Sequence, residues 1–169
     1  WCDFTAAVMA LIGTNSAIIQ TSLADMNTVL LTNKSDLVAH GYNIEISPPS
    51  GPPPPPPPAY HVNLTLYPNA LLPDPCQLTK GGHVDQIVGG HDFHLLRCGN
   101  SVFAFGVNDL FQLGNSSVQV ANITQMQRVL LEGANSNETV IIDIAAGKAS
   151  GYAVGQNGTL IAWGSTDSK

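Results

Sequence analysis

Along most of this chain apolar and polar residues alternate with a period of two, the spacing that puts successive side chains on opposite faces of a β-strand. The alternation comes in bursts, and the bursts repeat. Three segments align without a gap: "NTVLLTNKSDLVAHG" (27–41), "DFHLLRCGNSVFAFG" (92–106) and "SGYAVGQNGTLIAWG" (150–164). Each reads as an apolar strand, a polar turn and a second alternating strand that ends in Ala, a ring side chain and Gly: Ala39-His40-Gly41, Ala104-Phe105-Gly106 and Ala162-Trp163-Gly164. The pattern predicts β-hairpins turning at 33–36, at Gly99-Asn100 and at Asn157-Gly158. A further short strand precedes each hairpin, in "AIIQTSLA" (17–24), "DQIVGG" (85–90) and "IIDIAAG" (141–147), so each unit supplies at least three strands. The closing glycines are 65 and then 58 residues apart, and the longer interval contains a proline run.

These residues resemble the regulator-of-chromosome-condensation-type repeat, whose blades combine a Gly-bearing strand, a hairpin ending in Trp-Gly and a loop with Asn followed by Gly-Gln-Leu-Gly. "FAFGVNDLFQLG" (103–114) keeps Gly106, Asn108, Gln112, Leu113 and Gly114, with Phe111 where the family usually has Gly. "IAAGKASGYAVGQNGTLIAWG" (144–164) keeps the Ala-Ala-Gly and Ala-Trp-Gly ends. The first copy diverges, with His40 at the aromatic position and Ala24 for the usual Gly. "WCDFT…ALIG" (1–13) is similar to the end of a preceding blade, with Trp1-Cys2 in place of Trp-Gly. The resemblance implies an all-β fold of about three β-propeller blades, partial or part of a larger assembly. Closed propellers use roughly 4 to 8 blades, so such an arc leaves sheet edges for other segments or subunits to cover.

The stretch "SPPSGPPPPPPPAY" (47–60) cannot be a strand within a sheet, because proline has no amide proton for the ladder. It is expected to be an exposed polyproline II insertion between two repeats, about 22 Å long over its seven consecutive prolines at about 3.1 Å each. The chain then divides into 1–46, the end of a preceding blade with the first repeat; 47–60, the proline-rich insertion; 61–82, a connecting strand and loop; 83–139, the second repeat with its loop; and 140–169, the third repeat. Ser-Pro-Pro and poly-Pro modules resemble those of plant and green-algal hydroxyproline-rich wall glycoproteins. That resemblance implies hydroxylation and O-glycosylation at Pro48, Pro49, Pro52, Pro53, Pro54, Pro55, Pro56, Pro57 and Pro58.

Asn-x-Ser/Thr sequons occur at Asn33, Asn63, Asn115, Asn122, Asn137 and Asn157, six where the chain's Asn, Ser and Thr content predicts about two by chance. Such an excess, in turns and connections, points to N-glycosylation and a secreted chain. Localisation is accordingly expected to be extracellular, at a cell surface, wall or flagellar appendage. Trp1 follows no initiator Met or basic leader, so the chain reads as a processed protein or an excised piece. Three cysteines, Cys2, Cys76 and Cys98, lack zinc-ligand spacing. A Cys76–Cys98 disulfide would close a 22-residue span and leave Cys2 for another partner.

Net charge −6 with only six Lys and Arg removes the footprint of a nucleic-acid binder. The longest apolar stretch, Phe4 to Gly13, is about half of the roughly 20 residues a membrane helix needs. His83, His91 and His94 cluster with Asp85 and Asp92, but the odd 91-to-94 separation sends those two rings to opposite faces of a strand. "GKASG" (147–151) lacks the spacing of a phosphate-binding loop, and Asp3, Asp25, Asp36, Asp74, Asp143 and Asp167 are scattered. The sequence therefore predicts a non-enzyme with no cofactor and no metal site. Its expected function is that of a structural secreted glycoprotein module assembling a fibril, wall or flagellar hair through contacts with its own copies or other chains. The alternative is a regulatory propeller scaffold, or a module like a small-GTPase exchange factor, carrying a proline-rich ligand segment.

Overall fold

The computed structural model describes residues 4–25, 27–41, 64–115, 120–121, 123–131 and 139–165. Three antiparallel sheets follow one another along the chain. The first holds β1 (Ile18–Leu23), β2 (Asn27–Thr32), β3 (Leu37–Gly41) and β4 (Leu64–Tyr67) in that order. The second runs β5 (Gln86–Gly89), β6 (Phe93–Cys98) and β7 (Ser101–Val107), with β8 (Val120–Ala121) and β9 (Gln127–Arg128) both paired to β7. The third contains β10 (Ile141–Ala146), β11 (Ser150–Gly155) and β12 (Leu160–Gly164). The first strands β1, β5 and β10 lie beside one another in that order, which makes the three sheets consecutive blades of a propeller arc.

Alternation along the strands builds two cores between the blades. Val29, Leu31, Leu37 and Ala39 of the first sheet meet Ile87, Leu96, Phe103 and Phe105 of the second. The opposite face of the second sheet, with Phe93, Leu95, Val102 and Ala104, meets Ile141, Ile144 and Ala153 of the third. Each fully buried Leu, Val or Phe contributes about 1.5–3 kcal/mol, so the side-by-side stacking of sheets supplies most of the driving force.

Four departures from the sequence reading have clear physical causes. The proline run does not separate two repeats. It falls in the chain linking β3 to β4, which pair directly with Leu37 opposite Tyr67 and His40 opposite Leu64, so it interrupts one blade. Residues 47–60 themselves lie outside the described residues. The segment 61–82 is accordingly not merely a connection, since its Leu64–Tyr67 is the outer strand of the first sheet. The segment 1–13 forms a helix, α1 (Phe4–Ile12), and Trp1 and Cys2 lie outside the described residues. α1 brings Val8, Leu11 and Ile12 onto Leu30, Val38, Leu64 and Leu66, and so closes the side of the first sheet that a preceding blade would otherwise cover.

The fourth departure is one of register. Superposing Ala39, Ala104 and Ala162 gives them Val29, Leu95 and Tyr152 as partners, whereas the gapless alignment matches Val29 with His94. The β6–β7 turn is one residue shorter than its two counterparts, and one residue is one face of a strand. His94 therefore stands opposite Phe105 and points at the first sheet.

Short 3-10 turns at Asn69–Leu71, Asp74–Cys76 and Leu78–Lys80 join β4 to the second blade. Buried Asn69 organises them. Its backbone N–H donates to Asp36 Oδ1 at 2.8 Å, its Nδ2 donates to the carbonyls of Ser35 and Cys76, and its Oδ1 accepts the Leu78 N–H at 2.6 Å. A disulfide between Cys76 and Cys98 then fastens this connection to β6 across 22 residues. Loop-closure entropy for that span predicts that a Cys76→Ser, Cys98→Ser double variant loses about 3 kcal/mol, readable as a lower urea midpoint.

Candidate functional site

Three places collect polar or strained side chains: the junction between the first and second sheets, the rim of loops at one end of the arc, and the outer face of the third sheet. At the junction His94 is buried among residues of two blades. The Ser22 hydroxyl lies 2.7 Å from its Nδ1, and its Nε2 meets Asn27 Oδ1, both from the first sheet. An amide oxygen only accepts, so Nε2 carries the proton and Nδ1 accepts from Ser22. The ring also stacks on Phe105, with centroids 5.1 Å apart. Burial lowers its pKa from 6.5 to about 4, which keeps the imidazole neutral. Ser22, His94 and Asn27 follow the hydrogen-bond order of a nucleophile, its base and an orienting group. Ser22 is only 2% exposed, however, so substrate has no route to its hydroxyl. The trio seals the junction.

Glutamines repeat the device along the first strands. Gln20 donates to the Asp85 carbonyl at 2.8 Å and accepts from the Ile87 N–H at 2.9 Å. One blade on, Gln86 donates to Asp143 Oδ1 and the Ile144 carbonyl and accepts from the Ile144 N–H. The three histidines singled out in the sequence do not converge. His83 Nε2 pairs with Asp85 Oδ1 at 2.7 Å, and His91 Nδ1 lies 2.5 Å from Asp92 Oδ2 with Asp25 3.6 Å from its other nitrogen. Among the described residues no group of three or more His, Cys, Asp or Glu side chains could hold a metal ion.

The rim with Asp25, His91 and Asp92 also carries the loop after β7. Asn108 organises it by accepting the Leu113 N–H at 2.8 Å and donating to the Asn115 carbonyl at 2.6 Å. Gln112 accepts the Leu110 N–H and donates to Asp109, while its own carbonyl receives Trp163 Nε1–H at 2.9 Å from the third blade. Trp163 fits because Gly151 lies beneath it: a Cβ there would stand 2.3 Å from Cε2 of the indole. Phe111, where the repeat family usually has Gly, sits at φ +62° with its side chain 59% exposed. A left-handed conformation costs a residue with a Cβ about 1–2 kcal/mol. Phe111→Gly is expected to raise stability by about 0.5–1 kcal/mol, after the extra unfolded-state freedom of glycine is subtracted, as measured by urea unfolding.

On the third sheet Tyr152, Leu160 and Ala162 occupy the positions of Leu95, Val102 and Ala104, which are buried between blades. Here they are uncovered, with Leu160 66% and Tyr152 36% exposed. The edge of β12 is unpaired among the described residues, whereas β3 and β7 each carry an outer strand.

Of the sequon residues, Asn33 and Asn157 lie exposed in hairpin turns and Asn115 is half-buried in the β7 loop, while Asn63, Asn122 and Asn137 lie outside the described residues. So do Pro48 to Pro58. The sequence singled out His94 but not its partners, because Ser22 and Asn27 lie 72 and 67 residues away from it. The left-handed site at Phe111 was visible as a departure from the Gly of the repeat.

No family model matches the chain, and no curated protein matches it. Solved structures do. Human WBSCR16 superposes with a TM-score of 0.64 at 15% identity, over 90% of this chain and 35% of its own. Prp20p from Saccharomyces cerevisiae, described with its binding to Gsp1p and histones, gives 0.63 at 17% over 88% of this chain and 32% of its own. The same yeast RCC1 (Prp20) bound to Kap60 gives 0.64 at 17%, with the same coverage. The chain spans about a third of the length of these structures, and at such identities the likeness is one of fold: an arc of an RCC1-type propeller.

Proposed function

We propose that this chain is a non-catalytic, protein-binding arc of a regulatory propeller. The observation that carries the proposal is the open face of the third sheet, where positions that are buried between sheets in the two preceding blades stand exposed as Tyr152, Leu160 and Ala162. A patch of this kind marks a surface that further sheet packs against, whether from this protein or from a partner. The loop rim adds a second contact, with exposed Phe111 and Leu110 beside Asp25, Asp92 and Asp109. Holding an exposed aromatic in a strained conformation suits an anchor that a partner buries. With a net charge of −6, the rim favours a basic protein surface over nucleic acid. Binding of Gsp1p and histones by the fold neighbour Prp20p supports a regulatory role of this type.

Isothermal titration with histones and with Gsp1p tests the proposal. A salt-sensitive complex weakened by Phe111→Ala is expected with one of them. Absence of binding to both at low salt would count against a regulatory role. The open face has its own test: Tyr152→Glu with Leu160→Glu is expected to change folding stability by no more than about 0.5 kcal/mol, as for other exposed positions. The same pair should abolish association through that face in light scattering.

A second proposal, a secreted structural subunit of a fibril, wall or flagellar hair, draws on a different observation. The Cys76–Cys98 disulfide is suited to an oxidising compartment, and two sequon asparagines sit at exposed turns. In that setting the open third sheet would carry contacts between subunits, and the prolines of 48–58 would carry hydroxyl groups and O-linked sugars. Peptide mass spectrometry of the natural protein separates the two proposals: +16 Da prolines and glycosylated asparagines belong to the secreted subunit alone.

A further inference from the structure

We propose that, of the three described sequon residues, Asn33 and Asn157 are N-glycan acceptors of the folded protein and Asn115 is not, an inference that rests on the secreted reading. Six sequons are equivalent as sequence, but the fold separates the three that lie among the described residues. Asn33 and Asn157 lie in the corresponding turn of two blades, between second and third strands, where five residues separate the pairs Leu31–Leu37 and Val154–Leu160. Both side chains are exposed. Each uses only its carbonyl oxygen: Asn33 Oδ1 accepts the Ala17 N–H at 3.0 Å, and Asn157 Oδ1 accepts the Thr159 N–H at 3.1 Å. Neither Nδ2 has a hydrogen-bond partner among the described residues.

That division of labour matches the chemistry of the modification. The Nδ2 of asparagine loses one proton and bonds to the anomeric carbon of a lipid-diphosphate-linked oligosaccharide, whose lipid diphosphate leaves. The amide carbonyl is untouched, so a glycan at either turn keeps the hydrogen bond that shapes it.

Asn115 differs on each count. It is half-buried, its Nδ2 donates toward Gln127 Oε1 at 3.5 Å, and its backbone carbonyl holds Asn108 at 2.6 Å in the loop that receives Trp163. Transfer precedes folding, so the fold acts as a filter: a sugar at Asn115 would crowd Gln127, which pairs with Ala104 of β7, and so disfavours the folded arrangement of this loop. The middle blade has no acceptor at the corresponding turn. Asn100 is followed by Ser101-Val102, and its Oδ1 is committed to the Ile141 N–H at 2.6 Å. Both glycans therefore stand on the hairpin-turn rim.

The test routes the full chain, with a control sequon in an added C-terminal tag, through the secretory pathway of a eukaryotic cell. Secreted monomer is then treated with a glycan-releasing amidase in heavy-oxygen water and mapped by peptide mass. Most molecules should carry the isotope mark at Asn33 and Asn157 and only a small minority at Asn115. Asn33→Gln and Asn157→Gln should each remove one glycan from the intact mass. Empty Asn33 and Asn157 beside a filled control, or Asn115 filled as well as they are, would overturn the inference. Failure of the secreted reading has a separate signature, free thiols at Cys76 and Cys98 with unmodified asparagines in the protein taken from its natural source.

Discussion

Replacing His94 with alanine will lower the stability of the fold by about 3–4 kcal/mol. The loss has two parts. Removing the ring leaves a cavity against Phe105 in the largest inter-blade core, and it strips the buried Ser22 hydroxyl of its partner at the seam. The second part is the larger risk, because a hydroxyl left unsatisfied away from water costs about 1–3 kcal/mol by itself. Urea unfolding at pH 7 measures the total. The acid limb supplies a signature that a merely smaller core would not share. His94 has its pKa lowered from 6.5 to about 4 by burial, so the unfolded chain takes up the proton first as pH falls. The contribution of neutral His94 is fully present above about pH 6.5, is lost progressively down to about pH 4 and is flat below, a total of about 3 kcal/mol. In His94→Ala that part of the pH dependence should vanish. An unchanged acid limb in the variant would mean that His94 is not the group responsible.

A single methyl group at Gly89 is expected to have an effect of similar size through a different mechanism. Gly89 ends β5 at the same seam, and a Cβ there would lie 2.1 Å from the Leu23 carbonyl oxygen and 3.0 Å from Ser22 Oγ. The obstacle is backbone, which cannot swing aside, so the first and second sheets must move apart. Gly89→Ala should cost about 3–4 kcal/mol, at the upper end for overpacking. Gly158→Ala is the control: a Cβ at Gly158 meets nothing within 4 Å, and only its φ of +83° opposes the change, at about 1–2 kcal/mol. Thermal unfolding of both variants should separate them clearly. Equal losses would mean that the sheets are not in close register at Gly89.

Together these variants locate the mechanical weak points of the arc at the seams between sheets. Each blade is an antiparallel stack whose first three strands are neighbours in sequence. The seams are made by single side chains that reach from one blade into its neighbour, Gln20 and Gln86 at the first strands, His94 in the middle and Trp163 at the loop rim. The first and third sheets have unlike outer faces. α1 covers one, and the other displays Tyr152, Leu160 and Ala162.

The sequence by itself determined what depends on near neighbours. Strand positions follow from the apolar runs in 27–32, 93–98 and 150–155 and the alternating segments after them, and the turns from 33–36, Gly99-Asn100 and Asn157-Gly158, because both are encoded within a few residues. The repeat ends Ala-Phe-Gly and Ala-Trp-Gly likewise marked the third strands of two blades. Tertiary structure alone decided the rest. A one-residue difference in turn length, invisible in a gapless alignment, turned His94 toward Ser22 and Asn27. The pairing of Leu64–Tyr67 with β3, across 22 residues that include the prolines, placed the insertion inside a blade. α1 took the place of a blade end because the apolar spacing of 4–12 suits a helix packed on an exposed sheet as well as it suits a strand. In each case the deciding contact joins residues far apart in the chain, and strand alternation sets which faces are apolar without setting which apolar faces meet.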